Sequence, residues 1–288
     1  MGGPLVYLNG DFLPIEQAKI SVLDRGFLFG DGVYEVIPAY GGHPFRLKQH
    51  LARLDDSLRG IRLASPLADG DWATILARLL EGRPGDYSLY LQITRGAADK
   101  RDHAFPAVVK PTVFAMATPI SPPSPEKLQK GIAAVTLDDV RWQLCNIKSI
   151  TLLANILLRQ QATEEGCDEA ILIRDGQATE GTASNLFIVK DGLLLTPAKG
   201  PSLLPGITRD LVLELAAGAG IPLAEASIGL ADLEGADEIW MTSSTREVMA
   251  VTTLNGRPVG NGWPGPLWQR MTCLYQICKE RLRTGAEG

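Results

Sequence analysis

Two short, mainly apolar runs, residues 6–8 and 11–13, flank Asn9-Gly10. Asn-Gly readily takes the positive φ of a tight primed turn, so this stretch predicts a β-hairpin. The pattern then changes. Leu51, Leu54, Leu58 and Ile61 recur at helical spacing and predict an amphipathic helix over 50–61. A second helix is predicted over 72–80, stopped near Gly82-Arg83-Pro84. Residues 87–94 alternate and are rich in β-branched and aromatic side chains, the mark of a strand, and 113–117 reads the same way.

Pro119, Pro122, Pro123 and Pro125 fall within seven residues, a run that neither pairs in a sheet nor continues a helix. The domain boundary is therefore expected there: a smaller α+β domain over 1–118, a Pro-rich linker over 119–125 and a larger α/β domain over 126–288. In the second half a strand is predicted over 132–136 and a long helix over about 149–165, closed by Gly166. A strand meander follows over 169–174, 186–190 and 193–196, with Asp175-Gly176 and Asp191-Gly192 as hairpin turns. Thr208 is expected to cap a helix over 209–217. A strand over 239–242, a hairpin strand over 251–254 before Asn255-Gly256 and a closing helix over 271–283 complete the pattern, with residues 284–288 expected to fray.

Composition narrows the function classes. The 288 residues carry 28 Lys+Arg against 33 Asp+Glu, a net charge of −5, with 45% hydrophobic and 21% charged residues. That is the profile of a globular chain rather than a disordered one, and the acidic balance gives no electrostatic reason to expect nucleic acid or an anionic membrane. No run of about 18 apolar residues suggests a membrane span, and the first residues match neither a signal peptide nor a myristoylation site; a cytoplasmic protein is expected. Cys145, Cys167, Cys273 and Cys278 form no CxxC and gather no histidines, so buried free thiols are expected, with no zinc site and no disulfide framework.

Several side chains stand out chemically. Lys148 lies between an apolar stretch and a predicted helix start; desolvation and the helix dipole would both favour the free amine, the form that attacks a carbonyl. A lysine snorkelling at a helix end is the plain alternative. Glu180, among Thr179, Thr182, Ser184 and Asn185, suits a polar nook facing a cation such as a protonated ring nitrogen; an exposed turn glutamate is its alternative. Leu204-Pro205-Gly206-Ile207-Thr208 sets a glycine and a hydroxyl at a helix start, and Thr242-Ser243-Ser244-Thr245 adds hydroxyls after a strand; together they suggest a phosphate group. Arg53 flanks the apolar face of its helix and could clamp that phosphate, or simply be solvated. Arg101 and His103, two apart, would project to one side of an extended loop as a carboxylate trap. Tyr34 could give a phenol to a pocket or pack in the core.

Taken together, these segments resemble the fold-type IV pyridoxal-phosphate aminotransferases, and among them the D-amino-acid transaminases, along nearly the whole chain. Arg141 to Ser149, Glu180 to Asn185 and Gly206 to Arg209 are similar to the family's lysine, glutamate and phosphate segments. The resemblance implies a two-domain α+β fold, with the larger domain binding cofactor, and pyridoxal 5'-phosphate as that cofactor, passing through pyridoxamine 5'-phosphate in each half-reaction. It implies that Lys148 holds the cofactor as an internal aldimine and moves the Cα proton, and that Glu180 keeps the pyridine nitrogen protonated. Arg53, Ile207, Thr208, Ser243 and Ser244 would hold the phosphate and Leu204 would pack on the ring. Tyr34, Arg101 and His103 would bind the substrate carboxylate. The implied reaction is ping-pong transfer between a D-amino acid and a 2-oxo acid, 2-oxoglutarate or pyruvate, in a homodimer. Leu153, where branched-chain L-amino-acid transaminases carry tyrosine, and the Arg101–Pro106 loop, usually missing from aminodeoxychorismate lyases, favour D-amino acids. Thr151 departs from the asparagine frequent in D-amino-acid transaminases and leaves substrate preference open. Aminodeoxychorismate lyase chemistry, branched-chain transamination and a non-catalytic cofactor-binding role remain as alternatives.

Overall fold

Asn9 and Gly10 take φ of 52° and 108°, and the primed turn they form joins strands β1 (Leu5–Leu8) and β2 (Asp11–Pro14). The computed structural model describes residues 3–284. The reading of the first residues therefore lies outside them at residues 1–2, and the expected fraying at residues 285–288. Two compact units are distinguished. Among the described residues the first comprises 3–120, 147–151 and 281–284, and the second 121–146 and 152–280.

The first unit continues with helix α1 (Arg25–Phe29), β3 (Gly32–Tyr40), the short β4 (His43–Pro44), helices α2 (Leu47–Gly60) and α3 (Asp69–Leu80), and strands β5 (Tyr87–Thr94) and β6 (Thr112–Pro119). Its six strands form an antiparallel sheet in the order β2-β1-β6-β5-β3-β4. α2 packs on β3, and α3 on β1 and β6. The apolar stripes of the two helices bury Leu54, Leu58, Leu76 and Leu79 against Ile37, Leu89 and Leu91, the packing that a roughly 3.6-residue period on a helix and a 2-residue period on a strand require of each other.

The second unit holds α4 (Pro125–Lys130), β7 (Ile132–Asp138), α5 (Leu153–Glu164), β8 (Glu169–Arg174), β9 (Gln177–Gly181), β10 (Asn185–Lys190), β11 (Leu193–Thr196), α6 (Ile207–Gly218), β12 (Leu223–Glu225), β13 (Ile228–Gly229), α7 (Leu230–Glu234), β14 (Glu238–Ser243), β15 (Glu247–Leu254), β16 (Arg257–Pro258) and, up to residue 280, α8 (Pro266–Arg283). Its mixed sheet runs β12-β11-β10-β14-β15-β7-β8-β9-β13, with β16 on β15. Ile171, Leu186, Ile188, Ile239, Met241 and Val251 form its centre.

Four local expectations change. Pro119 does pair, opposite Tyr87, because it closes the last strand position of β6, and Pro125 starts α4 behind the Ser124 cap; a proline's missing N–H costs little at either kind of end. The helix expected from residue 149 begins at Leu153. Residues 147–150 are instead held extended along β3: Tyr34 N–H donates to the Lys148 carbonyl at 2.9 Å, Ile150 N–H to Gly32 at 3.1 Å, and Ser149 pairs with Val33. Thr208 is not the cap of α6; Gly206 is, and Thr208 lies in the first turn, buried. Of the cysteines only Cys145 is buried, and Cys273 is exposed on α8. Among the described residues no helix is long and apolar enough to cross a membrane.

Candidate active site

Lys148 sits on this extended segment, so it lies upstream of α5 and outside the reach of that helix's dipole. Its backbone is pinned on both sides, by Tyr34 N–H at the carbonyl and by the Ser57 Oγ, which accepts from Lys148 N–H at 3.1 Å. Ile147 anchors the segment in the core of the first unit, close against Gly60. The half-buried side chain carries its amine to 4.3 Å from the centre of the Tyr34 ring. Tyr34 thus serves as the wall beside the lysine and stacks on Tyr90 at 5.8 Å.

The next residue along β3, Glu35, points to the opposite face, toward α2, and is fully buried. His50, Arg53 and Ser57, at i, i+3 and i+7 of α2, are buried beside the leucine stripe. Arg53 meets Glu35 in two hydrogen bonds, Nε to Oε1 at 2.7 Å and Nη2 to Oε2 at 2.8 Å, and His50 Nδ1 reaches Oε2 at 2.8 Å. Arg53 is therefore an oriented, buried guanidinium rather than a solvated one. Burial pushes the Glu35 carboxyl up, but the Arg53 charge, its hydrogen bonds and His50 hold it well below the ordinary carboxylate range. Burial also pushes the His50 imidazole down, more than Glu35 raises it, so the ring is neutral near pH 7 and Nδ1–H is the donor. A histidine whose native pKa is depressed contributes stability above its ordinary value of 6.5 and loses it as the pH falls through that value toward the lower folded one. Between pH 7 and 5 we therefore expect unfolding free energy to decline by up to about 1.4 kcal/mol per pH unit from this group alone. Denaturant titrations of His50→Gln beside the parent should show that slope reduced; identical slopes would refute it.

Arg101 and His103 stand exposed on the loop between β5 and β6 and rest on the same ring: the Arg101 guanidinium lies 5.0 Å, and the imidazole centroid 5.3 Å, from the centre of Phe29. The two side chains do converge. Tyr34 has its ring contacts with Lys148 and Tyr90 instead, so the three residues expected on one carboxylate occupy two places of the first unit.

In the second unit Glu180 is buried inside β9 and is no turn residue. Sequence reading missed that strand because Ala178-Thr179 is weakly apolar. One carboxylate oxygen accepts from Arg141 Nη1 at 2.5 Å; the other accepts from Leu204 N–H at 3.0 Å and Asn185 Nδ2 at 3.2 Å. Arg141 in turn donates to Asp139, which also takes Arg174 at 2.9 Å. Burial opposes the Arg141 charge, yet Asp139 and Glu180 together raise its pKa further above the ordinary value. Three donors thus hold Glu180 in a fixed orientation. Asn185 also donates to the Leu204 carbonyl at 2.8 Å, and a Cβ on Gly206 would fall 1.9 Å from its Oδ1. Only glycine lets α6 start this close to the Glu180 nest. Gly206 brings no side-chain oxygen, so the first N–H groups of α6, at Ile207 and Thr208, keep their capacity for an anion. α6 packs on β14, whose end leads into Ser243 and Ser244; beside them Thr242 Oγ1 is buried with no hydrogen-bond partner among the described residues.

A pyridoxal phosphate needs an amine, an ionised acid and an anion cradle. The donor types present fit that group: the first unit offers the Lys148 amine, and the second offers the Glu180 carboxylate and, at the α6 start and the Thr242–Ser244 hydroxyls, donors suited to a phosphate. Glu35, His50, Asp139 and Asn185 were not singled out from sequence. The only signal for His50 was its i, i+3 spacing to Arg53 on an otherwise apolar helix face; Glu35, on β3, carried none.

Comparison with known proteins bears on the same residues. The amino-transferase class IV family model matches residues 32–254. The D-alanine aminotransferase of Bacillus licheniformis is 40% identical over 282 residues, 97% of this chain and 99% of that protein. The branched-chain amino acid aminotransferase of Escherichia coli has a TM-score of 0.88 at 28% identity, over 96% of this chain and 94% of that one. The T.th. branched-chain amino acid aminotransferase with pyridoxamine 5'-phosphate has a TM-score of 0.89 at 28% identity, over 97% and 94%. The two-sheet α+β architecture is therefore that of the fold-type IV enzymes. With the family match spanning both sheets and a relative of this identity aligned almost end to end, the chain belongs to the class IV aminotransferases.

Proposed function

We propose that this protein transfers the amino group of a D-amino acid to a 2-oxo acid, 2-oxoglutarate or pyruvate, in ping-pong order, with pyridoxal 5'-phosphate as cofactor. The buried Glu180 nest carries the reading: a carboxylate whose two oxygens are fixed by Arg141, Leu204 and Asn185 is oriented in advance for a cationic ring nitrogen. The identity of the chain to a D-alanine aminotransferase supports the D-amino donor.

When bound, the cofactor supplies an electron-withdrawing ring that takes up the electron pair released at the substrate Cα. Lys148 would hold the cofactor through its amine and, as a free amine, would move the proton between the substrate Cα and the cofactor carbon. Its pinned backbone limits that motion to the side chain. Glu180 holds the ring nitrogen and Leu204 packs on the ring. Arg53, Ile207, Thr208, Ser243 and Ser244 hold the phosphate. Tyr34, Arg101 and His103 bind the substrate carboxylate.

A homodimer is part of this reading. α5 leaves Leu153, Ile156 and Leu157 68%, 61% and 61% exposed in one row at i, i+3 and i+4, an apolar face that a second copy would cover.

A panel of D- and L-amino acids with and without 2-oxo acid tests the assignment, with sedimentation of the same preparation giving the assembly mass. D-enantiomers are expected to exceed their L-counterparts by about 100-fold or more in kcat/KM, about 2.7 kcal/mol of discrimination. Preference for L-leucine or L-valine would replace this reading with branched-chain transamination. Turnover without any acceptor would point to a lyase, and no turnover with any amine to a binding protein.

A further inference from the structure

We propose that Arg25 is a positioning residue for the substrate-carboxylate loop: it holds the backbone on which Arg101 and His103 are mounted, so that both reach the substrate already placed. The proposal deepens the carboxylate role given above to those two residues and rests on it.

The loop leaves β5 at Thr94 and returns at Thr112. It is closed at its base by Gly96, whose φ of 85° and approach to Lys110, where a Cβ would fall 1.9 Å from the carbonyl oxygen, leave no room for a side chain. At its tip, residues 99–106 form no helix or strand. Such a segment needs an external anchor to stay in one conformation.

Arg25 supplies it. The residue is 4% exposed and opens α1, which is capped by Asp24 and ended by Gly30. Its Nη1 donates to the carbonyls of Asp102 at 2.6 Å and Ala104 at 3.2 Å, and its Nη2 to that of His103 at 3.1 Å. Three consecutive carbonyls are thus turned toward one rigid fork, a geometry that the rotatable ammonium of lysine does not reproduce. One turn along the same helix, Phe29 offers the ring on which the Arg101 and His103 side chains lie. α1 therefore fixes the loop twice, its main chain through Arg25 and its two cationic or polar side chains through Phe29.

The anchor continues inward. Asp31 accepts from Arg25 Nε at 2.7 Å and from Arg95 Nε and Nη2 at 2.9 and 3.0 Å. Arg95 donates to the Ile61 carbonyl at 2.6 Å and lies 3.7 Å from the centre of the Phe105 ring. Burial raises the Asp31 carboxyl, and the two guanidiniums more than offset it.

Arg25→Lys and Arg101→Ala, singly and combined, test the assignment in the cofactor-loaded enzyme. Three readouts are needed: steady-state constants for the D-amino donor and for the 2-oxo acid, cofactor affinity, and amide hydrogen exchange over residues 99–106. Arg25→Lys is expected to raise both KM values about tenfold or more, because both substrates carry a carboxylate, with kcat changed less than about threefold and cofactor affinity unchanged. Exchange over 99–106 should speed up, and the double variant should show a KM below the product of the two single effects, since part of the Arg25 effect runs through Arg101 and the remainder through His103. Unchanged KM in Arg25→Lys beside a raised KM in Arg101→Ala overturns the proposal and leaves the carboxylate reading standing; so does simple additivity. Unchanged KM in Arg101→Ala overturns the carboxylate reading, and the proposal with it. Should Arg25→Lys fold poorly, Asp31→Asn, which touches Arg25 but no residue of 99–106, is read against the same outcomes.

Discussion

Lys148→Ala is expected to lower amino transfer by about 10⁴-fold or more, since on the proposed roles it removes at once the group that would tether the cofactor and the base that would move the proton. The protein should stay folded. The contacts that hold residues 147–150 are main-chain ones, from Tyr34 N–H and to Ser57 Oγ and Gly32, and the lysine side chain contributes only its approach to the Tyr34 ring. Stability is accordingly expected within about 1 kcal/mol of the parent. Lys148→Arg separates charge from nucleophilicity: it keeps the cation but cannot attack a carbonyl, and should be as inactive as alanine. Borohydride reduction of the parent followed by digestion should leave the cofactor's mass on the peptide containing Lys148. Substantial turnover by the alanine variant, or modification at another lysine, would remove the basis of the assignment.

Glu35→Ala is expected to be the most destabilising single change outside the apolar cores. It strips Arg53 of its two-point partner and leaves a guanidinium, 6% exposed, without the carboxylate that compensates it. Breaking a buried pair on one side costs about 3–5 kcal/mol, far more than the pair itself contributes. Denaturant midpoints should fall at unchanged slope. Following with Arg53→Met should recover part of the loss, because the stranded charge is then gone. Acid provides an independent readout. The Glu35 carboxyl is held below its ordinary value of 4.5 in the native state, so its contribution is complete above that pH and disappears as the pH falls toward the folded value. Glu35→Gln should flatten that part of the acid limb. A midpoint unaffected by Glu35→Ala would mean that the network carries no net stability.

Much of this fold was legible because its elements obey simple periods. Strand Tyr87–Thr94 lies where alternation placed it, Glu169–Arg174 and Leu193–Thr196 lie where the Asp-Gly turns bounded them, and the hairpin turns at Asn9, Asp175, Asp191 and Asn255 all take positive φ. What escaped was decided by partners distant in sequence. Residues 149–152 look helical by composition, but β3 draws residues 147–150 out as an extended segment. Pattern gives no hint of that pairing, which lies more than a hundred residues away. β9 was hidden because small hydroxyl residues line a buried polar nest, where the usual apolar mark of a strand is missing. The residues proposed for the chemistry stood out for the opposite reason: Lys148, Glu180 and the Gly206 turn form local motifs. Their supports, Asp139 beneath Arg141 and Arg25 beneath the 101–105 loop, carry no local mark and became visible only with the fold.

The extended segment that bears Lys148 also limits how this protein can be divided. The proline run after Pro119 looks like a natural place to cut. Yet a fragment ending at Ile120 would lack residues 147–150, and the Tyr34 amide and Gly32 carbonyl that they satisfy would become a bare sheet border. Unprotected borders of that kind recruit strands from other molecules. The reactive lysine thereby doubles as part of a seal on its own sheet, and a gene fusion or split reporter built at the prolines would inherit a self-associating half.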